Sequence, residues 1–140
     1  MKLLDANVWL AAAWVRHEHH DVARPWLDRE DDALVWCRVT QMAFLRHISN
    51  SAVLGDHALT RQNAWHRYNA LAADPRAQFL AEPDGLVALW QSFSTRNDRR
   101  HQLWTDDYLA AFAQAAGATF VTFDAAVRSR YPSVSVMVLR

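Results

Sequence analysis

The chain of 140 residues is poor in the features that mark special structural classes. Its single cysteine, Cys37, cannot close an intramolecular disulfide, and too few Cys and His residues have the spacing of a zinc site. Only 3 glycines and 4 prolines accompany 51% hydrophobic residues, which excludes collagen-like and disordered chains. No apolar run reaches the ~18 residues of a membrane span, and Asp5 interrupts the start where a signal peptide needs apolar residues. We therefore predict one globular domain over residues 1–140, located in the cytoplasm and not at a membrane.

Neither sign of charge is in excess, because 15 Lys and Arg residues balance 15 Asp and Glu residues. A formal net charge of zero gives no long-range attraction to nucleic acid, so any such contact has to be local. Lysine is nearly absent, since Lys2 is the only one. The arginines suit bidentate contacts with phosphate, although a bias in the coding sequence explains the same preference. The 7 tryptophans are scattered over apolar faces, which favours core packing over base stacking.

Short apolar segments alternate with helical patterns along the chain. The predicted strands cover residues 3–4, 33–37, 79–80, 119–123 and 134–139. The main predicted helices cover residues 7–14, 20–29, 41–48, 61–72 and 106–116, with another opened by Asp84 and loops over 51–59 and 95–102. Thr40 and Thr105 are the expected N-caps of the third and fifth of these helices. The alternation predicts an α/β fold in which helices flank a central, mainly parallel, five-stranded sheet.

Acidic residues stand where strands end or helices begin. Asp5 and Asp124 each follow a predicted strand, and the carboxyl ends of parallel strands meet at one edge of a sheet, where ligands bind. Asp106 lies in line with the apolar face of its helix, whereas Asp107 is rotated by about 100° and is expected to point away from that face. Three carboxylates in one crevice repel one another, and a divalent cation compensates their charge. Oxygen ligands favour Mg²⁺, with Mn²⁺ as the alternative.

Most of these acids also have a purely structural interpretation. Asp106 and Asp107 follow Thr105, where acids stabilise any helix through its macrodipole. Asp124 can cap the segment that follows it. Asp5 is harder to explain in this way, because an acid directly after the first buried strand suits neither a strand nor a helix interior. On the residues alone, a site and a set of helix-stabilising acids both remain open.

Four segments occur in a fixed order along the chain: residues 3–10 (LLDANVWL), 40–46 (TQMAFLR), 105–111 (TDDYLAA) and 122–124 (TFD). Together they resemble the motifs of PIN-domain ribonucleases, and most of all those of the mycobacterial-type VapC toxins. The resemblance implies a PIN-like three-layer sandwich and a Mg²⁺-dependent endoribonuclease that leaves 5′-phosphate and 3′-hydroxyl ends. It also implies the toxin of a type II toxin–antitoxin system, a homodimer that is held inactive by a cognate antitoxin.

The resemblance assigns roles to individual residues. The catalytic and metal-binding acids fall on Asp5, Asp106 and Asp124, and the residues expected beside them are Gln41, Asn7 and Thr122. Gln41 stands where many PIN domains carry Glu, so weaker metal binding is expected from its neutral amide. The predicted loop before the last acidic helix carries basic residues that suit RNA phosphates, with plain solvation as the alternative: Arg96, Arg99, Arg100 and His101.

Two other functions compete with an active nuclease. One is a PIN-like RNA-binding or regulatory module whose nuclease activity is reduced or lost through Gln41. The other is an aspartyl phosphotransferase of the haloacid-dehalogenase type, which also places a nucleophilic Asp after its first strand. That class needs a second acid two residues later, where this chain has Asn7, and a downstream lysine, which this chain lacks. The sequence therefore favours the nuclease.

Overall fold

A computed structural model describes residues 1–140 and contains five strands and eight α-helices. The strands are β1 (Lys2–Leu4), β2 (Leu34–Trp36), β3 (Ala77–Phe79), β4 (Thr119–Thr122) and β5 (Val136–Val138). The helices are α1 (Ala6–Ala13), α2 (His20–Arg29), α3 (Arg38–Ile48), α4 (Ser51–Leu54), α5 (Arg61–Ala72), α6 (Leu86–Ser94), α7 (Trp104–Ala116) and α8 (Ala126–Arg130). None of the helices combines the length and the apolar character that crossing a membrane requires.

The five strands form one sheet in the order β3-β2-β1-β4-β5. All four pairings are parallel, so the predicted five-stranded sheet is confirmed and is parallel throughout. The central strand is β1, whose residues Leu3 and Leu4 are fully buried. Beyond its end, the backbone N–H of Asp5 donates to the Val121 carbonyl oxygen at 2.9 Å, which fixes Asp5 beside the end of β4.

Successive strand residues point to opposite faces of the sheet and pack against separate helical layers. Leu4, Trp36 and Val121 pack with side chains of α1, α2, α3 and α5. Their neighbours Leu3 and Phe120 pack instead with side chains of α6, α7 and α8. The predicted three-layer sandwich is therefore confirmed, and the carboxyl ends of β1 and β4 lie between the two helical layers.

Helix α3 begins three residues earlier than the pattern predicted. Its N-cap is Cys37, and Thr40 is the third helical residue and not the cap. The Thr40 hydroxyl nevertheless has a capping role, because its Oγ1 accepts the Cys37 N–H at 3.0 Å. Gln41 therefore lies at the end of the first turn of α3 instead of at its start.

Other helix boundaries also differ from the predicted ones. Helix α7 begins at Trp104, so Thr105 lies in its first turn and does not cap it, because a 3-10 turn over His101–Leu103 runs directly into the helix. Helix α6 begins at Leu86 instead of near Asp84, and α4 occupies part of the predicted loop 51–59. Helix α7 ends where the pattern predicted, at residue 116, and Gly117 follows it with a φ of 67°, which glycine adopts without strain.

Candidate functional site

Asp5 and Asp124 are connected through one buried threonine at the ends of β1 and β4. Thr122 Oγ1 donates to Asp5 Oδ2 at 3.2 Å and accepts the backbone N–H of Asp124 at 3.1 Å. Thr122 is only 1% exposed, so its hydroxyl is held in place by packing. The family resemblance implied that Thr122 lies beside these acids, and in the structure its hydroxyl bonds to both of them.

The carboxylate of Asp5 is strongly perturbed by its surroundings. The pKa of Asp5 is raised to about 6, chiefly by burial and then by the negative charge of Asp106. The hydrogen bond from Thr122 and the N–H groups at the start of α1 act in the opposite direction. An aspartate that is costly to ionise in a crevice beside another acid is typical of a site that binds a cation.

Asp106 and Asp124 share a single guanidinium group. Arg130 Nη2 donates to Asp106 Oδ2 at 3.0 Å and to Asp124 Oδ2 at 2.7 Å. Burial raises the pKa of Asp106, Arg130 lowers it, and the charges of Asp124 and Asp107 raise it again. Because Asp106 interacts electrostatically with both strand-end acids, we refer to Asp5, Asp106 and Asp124 as the acidic cluster.

The chemistry of the acidic cluster suits a hard divalent cation. All of its side-chain donors are carboxylate oxygens, which Mg²⁺ and Mn²⁺ prefer, and a positive group already stands between two of them. In the present arrangement no three Asp, Glu, His or Cys side chains are close enough to hold a metal together. The chemistry of these donors therefore suits a divalent cation, whereas the present positions of the side chains do not hold one.

Asp107 lies outside the acidic cluster, but its predicted orientation is wrong. The residue is only 8% exposed, and its Oδ1 accepts a hydrogen bond from Tyr131 Oη at 2.5 Å. The prediction assumed one apolar stripe on α7, whereas every residue from Asp107 to Ala113 is buried. A helix enclosed on most sides has no polar face to which Asp107 can turn. Asp107 is instead a buried acid whose hydrogen bond joins α7 to the end of α8.

The sequence predicted that Gln41 contacts the acidic cluster, but in the structure it does not. Its side chain is buried, its Oε1 accepts a hydrogen bond from Arg38 Nη1, and it also interacts with the Tyr68 hydroxyl of α5. Arg38 lies three residues before Gln41 on the same helix face and therefore reaches its amide oxygen. The predicted contact of Gln41 with the acids is therefore not formed, and its amide is bonded to Arg38 and Tyr68 instead.

Asn7 acts on the Asp5 carboxylate through its backbone N–H and not through its side chain. Its side chain is exposed on α1 and lines a second hollow of about 430 Å³ together with Trp14, His17 and His47. On this side of the sheet the ring of Phe123 stacks on that of His19, with ring centroids 4.5 Å apart. The expectation that the Asn7 side chain lies beside the acids is therefore not met.

A basic cleft adjoins the acidic cluster on the side of α7. It has a volume of about 600 Å³, and its lining includes two acids, Asp98 and Asp107. The cations outnumber them, because the predicted phosphate-binding residues and the end of α8 also line the cleft: Arg96, Arg99, Arg100, His101, Arg130 and Tyr131. None of the three loop arginines is paired with a carboxylate. The exposed ring of Trp104 also lines this cleft. The arrangement places guanidinium groups without a carboxylate partner, and an aromatic ring, next to the acidic cluster.

Arg130 is the residue of this region that the sequence analysis missed. It ends the short helix α8, six residues after Asp124, and a basic residue there is explained equally well by the helix macrodipole. Its contact with Asp106 of α7 depends on how two helices pack, which no local pattern encodes.

Comparison with known proteins agrees with the fold. The PIN domain family model matches residues 2–131. Ribonuclease VapC41 of Mycobacterium tuberculosis is 40% identical to the chain over 145 aligned positions, which cover 99% of each protein. The crystal structure of Mycobacterium tuberculosis VapC20, a sarcin-ricin loop cleaving toxin, superposes with a TM-score of 0.69 at 12% identity, covering 92% of this chain and 94% of VapC20. VapBC2 of Rickettsia felis bound to a promoter DNA fragment gives a TM-score of 0.68 at 13% identity, covering 99% of this chain and 98% of the other. The chain belongs to the PIN domain family.

Proposed function

We propose that this protein is the toxin of a type II toxin–antitoxin system and that it acts as a Mg²⁺-dependent endoribonuclease, as a single domain over residues 1–140. The observation that carries the proposal is the acidic cluster, in which Asp5, Asp106 and Asp124 interact beside a basic cleft. The full-length similarity to a ribonuclease, VapC41, supports the same activity. Mn²⁺ is expected to replace Mg²⁺, because both prefer carboxylate oxygens.

Each part of the site has a distinct task in this proposal. Asp5, Asp106 and Asp124 hold the cation, and Thr122 keeps Asp5 in orientation through its hydroxyl. When bound, a divalent cation stabilises negative charge on the attacked phosphate and lowers the pKa of a bound water. Arg96, Arg99 and Arg100 bind neighbouring phosphates, which positions the RNA strand without selecting its sequence. The exposed Trp104 offers a stacking surface for an unpaired base.

The proposal includes two protein partners. We expect a homodimer. We also expect a cognate antitoxin, in keeping with the solved VapBC2 structure of Rickettsia felis. An antitoxin that silences the enzyme is expected to cover the acidic cluster and to present a basic side chain to it, because a cation there competes with the metal. A structure of the cognate complex with this edge open to RNA would contradict that expectation.

Purified protein is expected to cleave RNA only when a divalent cation is present. Cleavage of total RNA should occur in Mg²⁺ or Mn²⁺, stop in chelator, and leave 5′-phosphate and 3′-hydroxyl ends when the cut sites are mapped. A matched control is Asp56→Asn, which removes an exposed acid on the 3-10 turn after α4. That variant should cleave as the unmodified protein does, whereas Asp106→Asn should not.

The same experiment separates the enzyme from a module that only binds RNA. A binding module retains RNA in Mg²⁺ without producing new ends, and Asp106→Asn leaves its retention unchanged. Cleavage that continues in chelator, or that survives Asp106→Asn, contradicts the proposed site even if the protein is a nuclease.

A further inference from the structure

Arg130 occupies the junction between the acidic cluster and the basic cleft. Its Nη2 atom donates hydrogen bonds to both Asp106 of α7 and Asp124 at the end of β4. The side chain also lines the basic cleft together with the loop arginines. No other arginine contacts Asp106 or Asp124. Arg130 is thus the one basic side chain shared by the acids and the cleft.

The Arg130 guanidinium is incompletely bonded in this position. Its Nε atom is buried and has no hydrogen-bond partner, although guanidinium N–H groups are strong donors. A buried donor without a partner carries an unrecovered desolvation cost. Arg130 therefore does not form a fully satisfied structural ion pair. Another cation can replace it at the acids, and another acceptor can take its N–H groups.

Charge supplies the reason for an arginine at this place. Without a counter-charge, Asp106 and Asp124 repel each other, and Asp106 also lies in the field of Asp5. A guanidinium group relieves this repulsion in the metal-free protein. A divalent cation bound by the same carboxylates removes the need for Arg130 and repels it, while RNA phosphates in the adjoining cleft attract it.

We propose that Arg130 is an internal counter-cation that holds Asp106 and Asp124 in the metal-free protein and, when a divalent cation binds, turns into the basic cleft to contact an RNA phosphate. This inference rests on the proposed metal site and extends it to a residue outside the acidic cluster. Arg130 thus competes with the metal and also binds the substrate. Removal of Arg130 is therefore expected to strengthen metal binding and to weaken RNA binding, whereas a loss of folding weakens both.

Direct titration with Mn²⁺ tests the first half of the proposal without measuring activity. Arg130→Gln is expected to bind Mn²⁺ about 3- to 10-fold more tightly than the unmodified protein in isothermal calorimetry, because the competing cation is gone. Arg128→Gln is the matched control, since Arg128 lies on the same helix and donates only to the Val136 carbonyl oxygen. Arg128→Gln should leave Mn²⁺ affinity unchanged.

Steady-state cleavage at saturating Mn²⁺ tests the second half. Arg130→Gln should raise KM for RNA about 3- to 10-fold with a smaller effect on kcat, and Arg130→Lys should recover part of the loss. Equal or weaker Mn²⁺ binding by Arg130→Gln overturns the counter-cation role while leaving the metal site in place. If neither protein binds Mn²⁺, the metal site and this inference are both overturned. An unchanged KM for RNA overturns the contact with phosphate.

Discussion

Replacing Asp5 with asparagine is expected to abolish RNA cleavage and, at the same time, to stabilise the metal-free protein at pH 7. Cleavage is lost because the amide carries no charge to hold a divalent cation at the end of β1. Stability rises because burial and the charge of Asp106 make the ionised Asp5 unfavourable in the folded state. Function and stability thus place opposite demands on this one side chain.

The size and pH range of the stability gain follow from the pKa of Asp5. That pKa is about 6 in the folded protein and 3.8 in the unfolded chain, a difference that corresponds to a cost of up to about 3 kcal/mol at pH 7. Between these two values the folded state binds more protons, so the stability of the unmodified protein falls as pH rises from about 4 to 6. The advantage of Asp5→Asn should therefore be present at pH 7 and vanish near pH 4.

Urea unfolding in chelator, at pH 7 and near pH 4, measures the stability of both proteins. RNA cleavage is assayed on the same preparations in Mg²⁺. The free energy of unfolding of the Asp5→Asn variant should exceed that of the unmodified protein at pH 7 and match it near pH 4. A variant that is less stable at pH 7, or one that still cleaves RNA, contradicts the account of Asp5. Asp56→Asn again serves as the control, and no pH-dependent difference is expected for it.

Substitutions at the neighbouring acids Asp106 and Asp107 are expected to have opposite consequences. Asp106→Asn should reduce cleavage by more than the roughly 10- to 100-fold typical of residues that only support a metal ligand, with little effect on folding. Asp107→Ala should cost about 1–3 kcal/mol of stability, because it leaves the buried Tyr131 hydroxyl without its partner. Cleavage by Asp107→Ala should persist below its unfolding temperature.

A double-mutant cycle assigns the Asp107 effect to its hydrogen bond. The free-energy losses of Asp107→Ala and Tyr131→Phe should not add in the double variant, because either single change already breaks the bond. Additive losses indicate that Tyr131 is not the partner that matters. If Asp107→Ala abolishes cleavage in the folded protein while Asp106→Asn retains it, the register of α7 relative to the acidic cluster is wrong.

Much of this fold follows from patterns that are local in the sequence. Short apolar runs separated by helical segments predicted the strands, and parallel pairing then placed Asp5 and Asp124 at the same sheet edge. Thr122 was expected there only from the family resemblance, and the structure makes it the last residue of β4. These predictions succeeded because strand direction and residue alternation alone decide which groups meet at the carboxyl ends.

The remaining features depend on packing between elements. Gln41 turns to Arg38 and Tyr68 because α3 begins at Arg38 and packs against α5, neither of which the apolar spacing of residues 41–48 reveals. Asp107 is buried because α7 is enclosed on most sides, which a single apolar stripe does not predict. The ion pairs of Arg130 join three separate elements and have no local signature.

The most direct test of the site is a crystal structure of the protein soaked with Mn²⁺, with the ion located by its anomalous scattering. The account predicts an Mn²⁺ ion within direct coordination distance of Asp5 and of Asp106 or Asp124, with the Arg130 guanidinium moved out of its position between the last two. An ion bound elsewhere, with Arg130 still joined to both carboxylates, contradicts the claim that these three aspartates form the metal site.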